Sequence, residues 1–143
     1  MQAAVSVVSE YPASERVAKA GLDFFQRMAA HEATVSTMVA HEAIENTVRI
    51  LTAHKESPIV VTSAINTIGR MANSAENMGR IAKAGGLEAF VQALNLHMEN
   101  LPVVKQSLLM IETSALLPCN VEKLKAIGAV DAIFKALGEF DRM

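Results

Sequence analysis

Apolar residues in this chain recur three and four positions apart, the spacing of one buried helix face. In residues 86–97, Leu87, Phe90, Val91 and Leu94 keep that interval. The stripe returns 43 residues later as Val130, Phe134 and Leu137, and 43 residues earlier as Ile44, Val48 and Leu51. Phe25, Ile68 and Ile111 keep the same offset, as do Ala29, Ala72 and Ala115. Residues 38–80 and 81–123 share 10 identities over 43 positions, among them Glu45/Glu88, His54/His97, Ala72/Ala115 and Asn77/Asn120. Three copies in one apolar phase establish an internal repeat. The chain divides into a partial unit 1–37, units 38–80 and 81–123, and a partial unit 124–143.

Each unit reads as three helices. Thr34, Asn77 and Asn120, again 43 apart, are residues whose side-chain oxygen can cap a helix N-terminus, and each is expected to begin a short first helix. Gly85-Gly86 and Gly128 then break that helix and turn the chain into a second one. Glu42 stands at the matching place in the preceding unit, so that corner is expected to be more helical or less sharp. Ser57-Pro58, and Asn100 with Pro102, place a cap and a first-turn proline before the third helix, over about residues 58–72 or 102–116. Residues 5–11 (VSVVSEY) align with residues 48–54, so the chain is expected to open partway through a second helix.

The stretches NMGRIAKAGGLEAFVQAL and NVEKLKAIGAVDAIFKAL, with third helices ending Ile68-Gly69-Arg70-Met71-Ala72 and Ile111-Glu112-Thr113-Ser114-Ala115, resemble the armadillo repeat of β-catenin and importin-α. The resemblance covers nearly the whole chain. It implies an all-α fold, a right-handed α-α superhelix of about three armadillo-type repeats, with the third helices lining a concave groove. The HEAT repeat is the closest rival; its two helices per unit fit the short first helix and the glycine corner less well.

Composition agrees with helices: 51% of residues are hydrophobic but only 4% aromatic, without Trp. A net charge of −2 is too balanced for a generic nucleic-acid or anionic-membrane binder. One cysteine cannot form an internal disulfide, no apolar run approaches a membrane span, and the N-terminus lacks the basic region of a signal peptide. A protein of the cytoplasm, with the nucleus as a second compartment, is therefore expected. No nucleophile–base–orienter set, zinc-protease motif or phosphate-binding glycine pattern is present, so neither enzymatic activity nor a cofactor is expected. His54 and His97 share one repeat position and read as helix-end packing rather than metal ligands. Cys119 has Glu76 and Ala33 as counterparts, so the repeat requires no thiol there.

The armadillo resemblance places three columns of third-helix residues in the groove: Lys19, Thr62, Lys105; Asp23, Asn66, Leu109; and Arg27, Arg70, Thr113. Importin-α-like binders of nuclear signals carry Trp in the second column and Asn in the third. Here only Asn66 stands among them, in the Trp column, so binding of that kind is not expected. Arg27 and Arg70 with Lys19 and Lys105 instead resemble the basic groove of β-catenin-like repeats, suited to carboxylates. The plainer reading is a solvated face, since one charge per unit is common on any solenoid. Two functions follow from this reading. One is a protein-interaction scaffold holding an extended, acidic peptide; the other is an assembly module whose repeats stack end to end. The partner is another protein or peptide, and self-association is expected through an apolar end at Ile133, Phe134 and Leu137.

Overall fold

The computed structural model describes residues 14–141, which form nine α-helices and, among the described residues, no strand. They are α1 (Glu15–Ala29), α2 (Glu32–Ala40), α3 (Ala43–Ala53), α4 (Pro58–Met71), α5 (Ala75–Lys83), α6 (Gly86–Leu96), α7 (Leu101–Ser114), α8 (Pro118–Ala126) and α9 (Ala129–Asp141). The expected helix over residues 5–11 lies outside the described residues. The all-helical expectation holds, and the 43-residue period is visible in the backbone itself.

The long helices α1, α4 and α7 begin after Ser14, Ser57 and Asn100, 43 residues apart. In each case the side-chain oxygen accepts an otherwise orphaned N–H, from Val17 at 3.2 Å, Val60 at 3.4 Å and Val103 at 3.3 Å. The short helices α2, α5 and α8 start after His31, Ser74 and Leu117, three residues before the expected caps. Thr34, Asn77 and Asn120 thus sit inside the first turn. Two of them serve another helix: Asn77 Nδ2 donates to the Met71 carbonyl and Asn120 Nδ2 to the Ser114 carbonyl, both at 3.0 Å. These are carbonyls in the final turns of α4 and α7, which lack intrahelical partners. The asparagines therefore tie each short helix back to the long helix before it.

All three corners are equally sharp. Glu42, Gly85 and Gly128 adopt left-handed backbone with φ of 62°, 94° and 85°. The expectation of a more helical or less sharp corner at Glu42 is therefore corrected. The flanking hydrogen bonds repeat as well: Glu42, Gly85 and Gly128 each donate to the carbonyl three residues back and accept from the N–H four residues on. At Glu42 the Asn46 side chain adds a second donor to the same carbonyl, at 3.0 Å. The register of the repeat overrides the residue's own preference for φ < 0.

Packing builds two layers. The long helices α1, α4 and α7 contact one another in chain order, and α3, α6 and α9 do the same in the second layer. Within units, α3 packs on α4 and α6 on α7; of the short helices, α2 touches α1 and α3, α5 touches α3 and α6, and α8 touches α7 and α9. Leu22, Phe25, Ile44, Leu51, Ile65, Ile68, Leu87 and Phe90 are fully buried along this seam. Each such side chain contributes about 1.5–3 kcal/mol of burial free energy.

Candidate interaction surface

The nine residues of the three columns all lie on α1, α4 and α7, and none is buried. Positions four apart on a helix share a face, so each long helix presents its three as one short row. Because α1 contacts α4 and α4 contacts α7, the three rows lie on neighbouring helices.

The rows differ in what is free to bind. On α1, Lys19 is paired with Asp23 one turn on, so the basic column loses its first member to an intrahelical ion pair. On α4, the Thr62 hydroxyl donates to the Pro58 carbonyl at 2.7 Å, and on α7 the Thr113 hydroxyl donates to the Leu109 carbonyl at 2.9 Å. Each helix thereby satisfies its own hydroxyl proton. Arg27, Arg70 and Lys105 are exposed and make no ion pair among the described residues. Asn66 is half-buried, one turn before Arg70. Leu109 is exposed and apolar, which interrupts the polar middle column.

A cleft of about 400 Å³ opens between the first halves of α1 and α4, lined by Arg16, Lys19, Asp23 and Ile59 among others. Only Lys19 and Asp23 of the nine reach it. Arg16 and Ile59 escaped the sequence reading, although they occupy one repeat position 43 residues apart. The available signal was Ile59 itself, an isoleucine next to the buried Val60 and Val61 but out of their phase; it is 67% exposed.

Elsewhere, His97 Nε2 bonds to the Lys55 carbonyl at 2.7 Å, 42 residues earlier. The acceptor is a carbonyl, so the proton sits on Nε2. This histidine fastens the end of α6 to the loop after α3, in keeping with a helix-end packing role. At the other edge of the molecule, Phe134 and Leu137 of α9 are exposed while Ile133 is half-buried. Among the described residues no group of His, Cys, Asp or Glu is placed to hold a metal ion, and no helix is long and apolar enough to cross a membrane. Comparison with known protein families finds no match, and neither curated proteins nor solved structures yield one.

Proposed function

We propose that this protein is a non-enzymatic interaction scaffold of armadillo type that holds an extended acidic peptide across α1, α4 and α7. The observation that carries the reading is the Arg27/Arg70 pair: repeat-equivalent, exposed, unpaired among the described residues, and on neighbouring helices. Arginine's planar fork favours a carboxylate, and Lys105 adds a third cation on the same layer. Geometry narrows the peptide further. Packed helix axes lie about 8–10 Å apart, and an extended polyproline-II-like chain advances about 9 Å every three residues while returning side chains to one face. Two acidic residues three positions apart on the ligand therefore match one carboxylate to each arginine, while Lys105 lies off that line, eight residues before the arginine column's place on α7.

The test is fluorescence anisotropy with two labelled peptides of equal charge, one with glutamate at every third position and one with the glutamates clustered. The spaced peptide should bind more tightly, and more weakly as salt rises. Arg27→Glu combined with Arg70→Glu should abolish that binding with helicity unchanged. Equal affinity of the parent and the double variant would overturn the proposal.

A further inference from the structure

The long helices hold equivalent places in the repeat, yet the open face of α7 differs in chemistry from those of α1 and α4. Leu109 stands where α1 and α4 carry Asp23 and Asn66. Leu116, just past the end of α7, stands where the other two are followed by Ala30 and Asn73. Leu109 is 52% exposed and Leu116 75%. This openness belongs to the face itself. Helix α4 has α1 on one side and α7 on the other, and there Asn66 is still half-buried and Asn73 exposed. A unit packed on both sides therefore keeps these positions in contact with solvent, and α7 fills them with apolar side chains.

Between the two leucines lies the third place of the arginine column. Thr113 comes four residues after Leu109 and three before Leu116, so the three share one face. The Leu116 N–H donates to the Thr113 carbonyl at 3.2 Å, which closes the turn that brings Leu116 alongside. The Thr113 hydroxyl already gives its proton to the Leu109 carbonyl, so it has none to offer a carboxylate. Next to it, Glu112 is exposed and in no ion pair among the described residues; α1 and α4 have Gln26 and Gly69 there. Where Arg27 and Arg70 attract an acid, this place repels one.

We propose that the α7 end of the groove is an apolar seat, and that the ligand is an extended peptide reading acidic-x-x-acidic-x-x-leucine along the three long helices. The inference rests on the groove reading and names the ligand more closely. The helix spacing and three-residue advance that bring successive acids to Arg27 and Arg70 bring the next such side chain to Thr113. A leucine arriving there meets Leu109 and Leu116 and gains by leaving water. A glutamate arriving there meets Glu112.

The test is fluorescence anisotropy on the full chain. The labelled peptides hold two glutamates three positions apart, carry leucine, serine or glutamate three positions further on, and are made in both chain orders. In one order the leucine peptide should bind about fivefold more tightly than the serine peptide, and the glutamate peptide about twofold more weakly than serine. That order gives the direction of the bound chain. Leu109→Asn combined with Leu116→Asn copies α4, and should bring the leucine and serine affinities together. Glu112→Gln combined with Thr113→Arg copies the Gln26-Arg27 pair of α1, and should make the glutamate peptide the tightest. None of the four positions is buried, so circular dichroism should not change. Equal leucine and serine affinities in both orders, with binding still abolished by Arg27→Glu and Arg70→Glu together, would remove the seat and leave the groove reading standing. Binding that is absent, or indifferent to that arginine variant, would sink both. A leucine preference that survives Leu109→Asn with Leu116→Asn would also refute the seat and put the leucine elsewhere, as against the exposed Ile59 in the α1–α4 cleft.

Discussion

Units 38–80 and 81–123 share a backbone but not the means of holding it. The first makes its left-handed corner with Glu42 and follows it with Ala43; the second uses Gly85 and Gly86. The first buries Ala64 where the second buries Ser107, and it answers Glu45 with a two-pronged arginine where the second answers Glu88 with a lysine. Strain sits at the corner of one unit, while crowding and an unsatisfied hydroxyl sit in the other. Each difference is a natural substitution already tolerated one period away, so transplanting residues between units isolates its effect.

The largest effect is expected at Gly86. A Cβ there would lie 2.5 Å from Ile81 Cγ2 and 2.8 Å from the Ile81 carbonyl oxygen. Ile81 is itself buried, so any shift of its branch must displace packed neighbours. The sister positions carry Ala43 opposite Met38 and Ala129 opposite Leu124, and neither Met nor Leu is branched at Cβ. Gly86→Ala should therefore destabilise by about 1–3 kcal/mol in urea melts, the range for overpacking a filled site. Ile81→Leu in the same chain should recover most of the loss, a coupling on the order of 1 kcal/mol. No recovery would place the clash on the Ile81 carbonyl rather than on its branch.

Ser107 comes next. Its hydroxyl is fully buried with no hydrogen-bond partner, whereas Ala64 fills the equivalent place with no polar atom. An unsatisfied buried polar group costs about 1–3 kcal/mol, and replacing it by an apolar one of similar size removes that penalty. Ser107→Ala should raise stability by about 1 kcal/mol. A loss on substitution would mean that a water or a bound partner uses the hydroxyl.

Much of this architecture was legible in the chain alone. The period, the apolar stripes and the caps at Ser57 and Asn100 are local patterns, and they read correctly. The start of the short helices was not legible, because asparagine looks the same at a cap as it does three residues inside. What distinguishes Asn77 and Asn120 is a carbonyl six residues back on another helix, a tertiary fact. Glu42 misled for a related reason: its own preference argues against φ > 0, and only the repeat register demands it. Of the candidate groove, the columns were visible through alignment across units. The Lys19–Asp23 pair runs along one helix, so reading down the columns concealed that it cancels a charge.

Glu42→Gly tests that register directly. A left-handed non-glycine residue costs roughly 1–2 kcal/mol in the native state, while glycine adds conformational freedom to the unfolded chain worth about 0.5–1 kcal/mol. The net expectation is a gain of about 0.5–1 kcal/mol, read as a higher urea midpoint at unchanged slope. The reverse transplant, Gly85→Glu, should lose a similar amount. A neutral Glu42→Gly would mean that the glutamate offsets its own strain with a contact at this exposed corner.

The smallest effect concerns the two ion pairs, one inside each unit. Arg80 grips both oxygens of Glu45, and each side chain is about one-third exposed, at 33% and 32%. Lys123 approaches one oxygen of Glu88, and there the side chains are 40% and 48% exposed. A bidentate pair in a less hydrated place keeps more of its Coulomb gain. Double-mutant cycles should therefore give a coupling of about 0.5–1 kcal/mol for Arg80 with Glu45, and about 0–0.5 kcal/mol for Lys123 with Glu88. Raising the salt concentration should shrink both. Lys123→Arg then asks whether the fork alone makes the difference. If the coupling to Glu88 rises to match the first pair, guanidinium geometry is the cause. If it does not, the Ala82 carbonyl that Lys123 also holds matters more to this joint than the carboxylate.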